Sequence, residues 1–370
     1  MSTDRIPALK IGNLEISPPI IQGGMGVRVS RANLATAVAK TGCVGVIASA
    51  GLGQFDNPDL EGAPREVLVK LNEDALRQEI RKAKQSGGIV GVNIMVALTD
   101  YENHVKTAVE EDIDLIISGA GLALTLPKYL NGKDIKLIPV VSSARTFKIL
   151  CKRWKSNFNK LPDAVVVEGV KAGGHLGYSY DCITNDTGPT LEQTIEEIIK
   201  IADGFLSDIP VIAAGGIFDG DDIAYFLELG ASGVQMATRF VCTNECDAHD
   251  NFKQAYLNAR AEDLTIIKSP VGLPGRVINN SFVEKIKNGK TMPFECNYQC
   301  LRTCEPKKVP YCIAKVLANA AQGKLGESFV FAGSNVYRCN EIVPVKTLVE
   351  KLTKELAFVL SDERRVHVSA

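Results

Sequence analysis

Eight short apolar runs recur along the first two thirds of the chain, at Pro19–Gln22, Val44–Ala48, Ile89–Met95, Leu115–Ser118, Leu137–Ser142, Ala164–Glu168, Pro210–Ala214 and Gly233–Ala237. They are rich in Val and Ile and show little polar alternation, the pattern of parallel strands covered on both faces. Between most of them the period changes to that of a helix. Arg31–Lys40 places Leu34, Ala35, Val38 and Ala39 on one stripe, and the segments 72–85, 104–110, 144–154, 191–201 and 222–229 read the same way. Strand then helix, repeated eight times, predicts an α/β fold, a (β/α)8 TIM barrel, in preference to an open Rossmann-type sheet. The alternation stops after the eighth run. Residues 244–340 hold helical stretches, a Pro/Gly-rich segment at Ser269–Arg276 and a group of cysteines, and Val345–Leu360 then resumes an amphipathic helix. The expected division is a barrel built from 1–243 and 341–370, with a mainly helical cap at 244–340 inserted after strand 8.

In such a barrel, chemistry belongs at the C-terminal ends of the strands. The 32 glycines of the chain concentrate there. Run one leads into Gln22-Gly23-Gly24-Met25-Gly26, run six into Glu168-Gly169-Val170-Lys171-Ala172-Gly173-Gly174-His175, and run seven into Ala214-Gly215-Gly216, while run eight carries Gln235-Met236-Ala237-Thr238. Glycines after strand seven and a hydroxyl after strand eight suit a phosphate, so a phosphate-bearing cofactor is expected over ligand-free tight turns. Of four histidines, only His175 lies in a glycine-rich exit, which favours a general base or hydrogen-bond donor over a turn cap or phosphate ligand. Asn93 is an amide inside an apolar run, either satisfied within the core or paired with a heterocycle. Glu168 could accept from a ribityl hydroxyl or pair with Lys171.

Composition narrows the partners. Over 370 residues, 42 basic side chains face 43 acidic ones, without the basic excess of a nucleic-acid binder. The longest apolar stretches, such as Cys43–Ala50 and Ile209–Ala214, fall far short of the about 20 residues of a membrane span. No secretory pattern opens the sequence, so a cytoplasmic location is expected, with a small-molecule substrate and neither nucleic acid nor membrane as partner. The ten cysteines then read as reduced thiols.

Taken together, Pro18-Pro19-Ile20-Ile21-Gln22-Gly23-Gly24-Met25-Gly26, Gly91-Val92-Asn93, Ala172-Gly173-Gly174-His175, Ala213-Ala214-Gly215-Gly216-Ile217 and Gln235-Met236-Ala237-Thr238-Arg239-Phe240 resemble, in order, the nitronate monooxygenase (2-nitropropane dioxygenase) family of flavin barrels, relatives of the flavin-dependent enoyl-ACP reductases. The likeness runs through about residues 8 to 242 and more loosely over the cap. It implies non-covalent FMN. Gly23, Gly24 and Met25 would pass beside the ring, Asn93 would bond it, and Glu168, Gly173 and Gly174 would lie toward the ribityl-phosphate side. Gly215, Gly216, Gln235, Met236, Ala237 and Thr238 would hold the phosphate, with His175 as the catalytic residue. The activity implied is oxidation of alkyl nitronates with dioxygen to a carbonyl product and nitrite. The alternatives are an NAD(P)H-dependent enoyl-ACP reductase on the same fold, and a non-catalytic barrel that binds flavin or a phosphorylated metabolite. Glu168 stands where many relatives have Gln, Ala237 where a glycine is usual, and Lys171 where an acidic residue is common.

The cysteine group stays apart from this scheme. Cys296, Cys300 and Cys304 are spaced by four, which on an uninterrupted helix would put three thiols on one face where they could converge on one metal or iron–sulfur cluster, and Cys312 follows beyond Pro306 and Pro310. The spacing matches neither the usual zinc nor the ferredoxin patterns, so no metal is assigned, and buried thiols on a cap helix are the expectation. Arg302, Lys307 and Lys308 would lower a thiol pKa if close to it.

Overall fold

The computed structural model describes residues 6–361 except 57–59, 61, 206 and 207. Parts of the expected barrel segments, residues 1–5 and 362–370 with His367, lie outside the described residues. The eight apolar runs form eight parallel strands: β1 (Ile20–Gln22), β2 (Gly45–Ala48), β3 (Val90–Met95), β4 (Leu115–Gly119), β5 (Lys136–Val141), β6 (Val165–Glu168), β7 (Val211–Ala214) and β8 (Gly233–Met236). Their spatial order is β1-β8-β7-β6-β5-β4-β3-β2. A parallel bridge between Ile21 and Val44 closes the ring, so this is the (β/α)8 barrel that the alternation predicts.

Both faces of the strands are covered, as continuous apolar strands require. Ile21, Val46, Leu115, Ile117, Ile138, Val166 and Ile212 fill the barrel interior with Leu9, Ile11 and Ile16 of an N-terminal hairpin. The alternate residues Ile20, Ile47, Val92, Ile116, Leu137, Val165 and Val234 pack outward on the helices. Those helices are α1 (Ala32–Ala39), α2 (Arg65–Lys84), α3 (Tyr101–Glu110), α4 (Ala144–Phe158), α5 (Leu191–Asp203) and α6 (Gly220–Glu228). Their starts carry recognisable caps: Thr190 with Gln193 before α5, and Asp219 with Asp222 before α6, form reciprocal capping boxes.

The segment after β8 contains α7 (Asp250–Leu257), α8 (Ser281–Lys287) and α9 (Ile313–Ala321), and α10 (Val345–Ser361) then packs between α1 and α6, where an eighth barrel helix belongs. Among the cap helices lies a ribbon that helical periodicity does not show. Antiparallel strands β9 (Leu264–Lys268) and β10 (Pro274–Ile278) pair from Leu264 with Ile278 to Lys268 with Pro274, and the Pro/Gly-rich stretch forms their turn. β10 also pairs with β11 (Val330–Phe331) and with residues 174 and 175, Gly275 opposite His175. The cap is thereby bonded to the backbone of the candidate catalytic residue. Among the described residues no helix is long and apolar enough to cross a membrane.

Candidate active site

A pocket of about 260 Å³ opens at the C-terminal ends of the barrel strands. Every residue singled out from the sequence lines it: Gly23, Gly24 and Met25 after β1, Asn93 on β3, Glu168 ending β6, Gly173, Gly174 and His175 beyond it, Gly215 and Gly216 after β7, and Gln235, Met236, Ala237 and Thr238 at β8. Residues spread over some two hundred positions of sequence converge because each sits at the same end of its own strand. The chain passes flat against its neighbours here. A Cβ on Gly24 would come 2.4 Å from the Asn93 Cβ, and one on Gly173 would come 2.5 Å from the Ala332 carbonyl carbon and the Gly333 nitrogen. Gly215 and Gly216 have φ of 97° and 87°, conformations that L side chains rarely adopt.

His175 is fixed from the cap. Its Nε2 lies 2.7 Å from Ser269 Oγ, and its ring meets the Phe331 ring edge-on at 4.8 Å between centroids. Burial pushes its pKa down to about 4, so the imidazole is neutral at pH 7. Burial alone pushes the Glu168 carboxyl up to about 7; the pairing with Lys171 that the sequence left open does not contribute. The Tyr178 hydroxyl donates to the Glu168 carbonyl at 2.9 Å. Thr238 Oγ1 accepts from the Gly333 N–H at 3.2 Å, and Gln235 Oε1 is buried without a hydrogen-bond partner. An orphaned acceptor in a pocket is a place for a ligand's donor.

The residues that the sequence did not offer come mostly from the cap: Ser269, Phe331, Gly333 and Tyr256, whose hydroxyl donates to the Phe331 carbonyl at 2.6 Å. Val330-Phe331-Ala332-Gly333 is one more apolar run ending in glycine, the signal that marks the barrel exits, but it lies beyond the regular repeat. A second chamber of about 390 Å³ adjoins the pocket, sharing Val27, Ala50, Met95, Ala120, His175 and Leu317 with it. Its remaining walls are mainly apolar, Val96, Leu98, Val271, Leu273, Leu301 and Ile313 among them. His104 also lines it, bonded through Nδ1 to Ser49 Oγ at 3.0 Å, with Nε2 unpartnered and its pKa lowered to about 4 by burial.

The cysteine expectation needs correction. Cys296, Cys300 and Cys304 are not on a helix; their segment runs without helix up to α9. Its backbone bonds go to the loop after β3 instead, Thr99 N–H to the Cys300 carbonyl at 3.0 Å and Arg302 N–H to the Ala97 carbonyl at 3.1 Å. Arg302, Lys307 and Lys308 are not among the groups that act most on Cys300, Cys304 or Cys312. Burial pushes Cys300 up to about 12 and also raises Cys304 and Cys312.

The family model for nitronate monooxygenases matches the chain over residues 8–355. The chain is 28% identical over 277 residues to a 5-hydroxy-7a-methyl-1-oxo-octahydro-1H-indene-4-carboxyl-CoA dehydrogenase of Rhodococcus jostii, covering 75% of this chain and 67% of that one. It is 27% identical over 295 residues to a probable nitronate monooxygenase of Staphylococcus aureus, covering 74% and 78%. Among solved structures, FabK from Thermotoga maritima superposes with a TM-score of 0.73 at 28% identity over 98% of both chains. A nitroalkane oxidase from Streptomyces ansochromogenes shares the fold, with a TM-score of 0.70 at 21% identity over 92% of this chain and 96% of that one. With the family model covering the whole cap and nearly all of the barrel, the chain belongs to the nitronate monooxygenase family and is a flavin-dependent oxidoreductase.

Proposed function

We propose that the chain holds FMN in the strand-end pocket and oxidises alkyl nitronates with dioxygen, giving a carbonyl product and nitrite. The observation that carries this reading is the convergence of fourteen residues from five strand ends on one pocket, with a neutral His175 where it meets the apolar chamber. The pocket suits such a cofactor on its own chemistry. Gly23 and Gly24 leave a wall without side chains, Gln235 Oε1 lacks a donor, and Glu168, protonated for part of the time at pH 7, can give or take a hydrogen bond. No Lys or Arg lines the pocket among the described residues. Backbone N–H groups around Gly215, Gly216, Ala237 and Thr238 would therefore hold the phosphate. Bound there, FMN would supply the two-electron chemistry, taking electrons from the substrate and passing them to dioxygen. Ser269 engages His175 Nε2 and so orients the neutral ring, which leaves Nδ1 as the nitrogen to accept the substrate's proton when it arrives as the neutral nitroalkane. The apolar chamber takes the alkyl tail and keeps water from the reacting carbon.

One feature favours a second reading, NAD(P)H-dependent reduction of an enoyl thioester. The chamber is apolar and larger than a short nitronate needs, as an acyl chain would require. Anaerobic mixing of the FMN-loaded protein separates the two. Bleaching of the flavin by a nitronate, with none by NADH or NADPH, is the expected result; the reverse selects the thioester reading. Protein that neither purifies with flavin nor takes up FMN overturns both and leaves a barrel for another phosphorylated ligand.

A further inference from the structure

Four of the ten cysteines stand together. Cys300 and Cys304 pack against the edge of the same core, and Cys312 stands at the start of α9 beside them. Three of them, Cys296, Cys300 and Cys312, line one cavity of about 550 Å³. One sulfur here is met by a backbone donor, Gln299 N–H to Cys296 Sγ at 3.3 Å, and Cys312 stands at the N-cap position of α9. The surrounding segment has almost no regular structure to account for its order, and all four thiols are only half-buried. Cys300 and Cys304 touch the core only at its edge, short of the full burial usual for a free cysteine.

We propose that Cys296, Cys300, Cys304 and Cys312 ligate an iron–sulfur cluster that fastens the irregular part of the cap to the barrel. A single ion does not fit. Four sulfurs around one zinc must each lie about 2.3 Å from a common point, and among the described residues no group of three or more His, Cys, Asp or Glu side chains is arranged to hold a metal ion. A [4Fe–4S] cluster takes each thiolate on a different iron, so its four ligands stand further apart. Ligation replaces four S–H bonds with four Fe–S bonds and releases four protons; where the cluster is built from ferric iron and sulfide, dithiothreitol supplies the two electrons that bring it to the [4Fe–4S]2+ level. The positive charge of the cluster core would stabilise the four thiolates that ligation creates. Backbone N–H donors to ligating sulfur are the usual company of such a cluster. Cys300 lines the apolar chamber as well, so the cluster would stand at a wall of that chamber. The assignment is independent of which substrate the flavin site takes.

The test is to purify the full chain anaerobically and, if needed, reconstitute it with ferric iron, sulfide and dithiothreitol. Iron, acid-labile sulfide and zinc are then assayed, and the dithionite-reduced protein is examined by electron paramagnetic resonance, where the flavin does not mask the signal. The expected content is about four irons and about four sulfides per chain, as for a [4Fe–4S] cluster held by four cysteine thiolates. Cys300→Ser and Cys304→Ser should lose most of the iron while Cys182→Ser, in the short helix Tyr180–Thr184 and outside the cysteine-lined cavity, keeps it. The cluster should also slow proteolytic cutting within 288–312. Wild-type protein without iron and sulfide after reconstitution overturns the proposal, whether or not the serine variants fold. So does a chain carrying zinc alone, or serine variants with full iron content.

Discussion

The rim of the barrel and the cap that covers it build one site by different means. The rim is repetitive: glycine-rich exits from parallel strands put backbone and short side chains around a pocket whose position follows from the fold. The cap is particular. It reaches the same pocket through a three-stranded ribbon whose middle strand pairs with Gly174 and His175, and it supplies Ser269 and Phe331 to one imidazole. The rim thus offers a place for a cofactor common to a family, and the cap sets what that cofactor meets. If this division holds, substitutions at the shared residue should damage turnover while sparing the cofactor.

His175 is that residue, and its loss carries the largest expected effect. His175→Ala should leave FMN bound, since the glycine-rich strand exits and backbone N–H groups remain to hold it, and lower turnover of a neutral nitroalkane about 100-fold, the scale of a lost general base. Flavin fluorescence titration and steady-state rates measured together decide it. Turnover unchanged, or flavin lost in proportion to rate, would break the division between rim and cap at its central point. Ser269→Ala gives the milder form of the same test, because it frees the imidazole without removing it.

The rim was legible in the sequence because two independent signals coincide there: apolar runs of strand length and glycines at their ends. Asn93 and Glu168 stood out as polar groups closing such runs, and both line the pocket. The cap was not legible for a physical reason. Its strands are short and two of their partners are distant, His175 for Gly275 and Phe331 for Val277, so no local period announces them. The regular spacing of Cys296, Cys300 and Cys304 suggested a helix, but the segment spends its backbone hydrogen bonds on residues 97–99, and tertiary pairing overrode the local pattern. The start of α2 shows the same limit in milder form, since it begins at Arg65 where the apolar stripe becomes clear only from Asn72.

Gly173 sharpens the comparison, because it is a rim glycine held against cap backbone. A Cβ there has no flexible side chain to displace, only the Ala332–Gly333 peptide. Gly173→Ala should cost about 2 kcal/mol of stability, within the range for overpacking a close-packed contact. The same shift should weaken FMN binding by up to about 10-fold, since about 1.4 kcal/mol is a factor of ten. Gly326→Ala is the control: its Cβ would meet nothing within 4 Å, and no change is expected. Thermal unfolding with and without added FMN reads both. Flavin affinity untouched in Gly173→Ala would mean that the rim holds the cofactor without help from the cap.

The smallest effect is electrostatic and has a defined pH window. Glu168 has a pKa of about 7 in the folded chain, against about 4.3 for an unperturbed Glu. Between those values the folded state holds a proton that the unfolded state has released, so this group's contribution to stability falls as pH rises and its cost is complete above pH 7. His175 and His104 act in the opposite window. Both are held neutral with pKa about 4, so the unfolded chain binds their protons first and stability is lost as pH drops from about 6.5 toward 4. Above pH 7 both histidines are neutral in either state, which isolates the carboxyl. Glu168→Gln should therefore raise stability by about 1 kcal/mol at pH 8 and change nothing near pH 4. The gain stays below the full cost of the buried charge because the amide still needs partners of its own. A variant no more stable than the wild type at pH 8 would show that the carboxylate is already compensated within the pocket, and the rim would then be a polar site in its own right before any cofactor enters it.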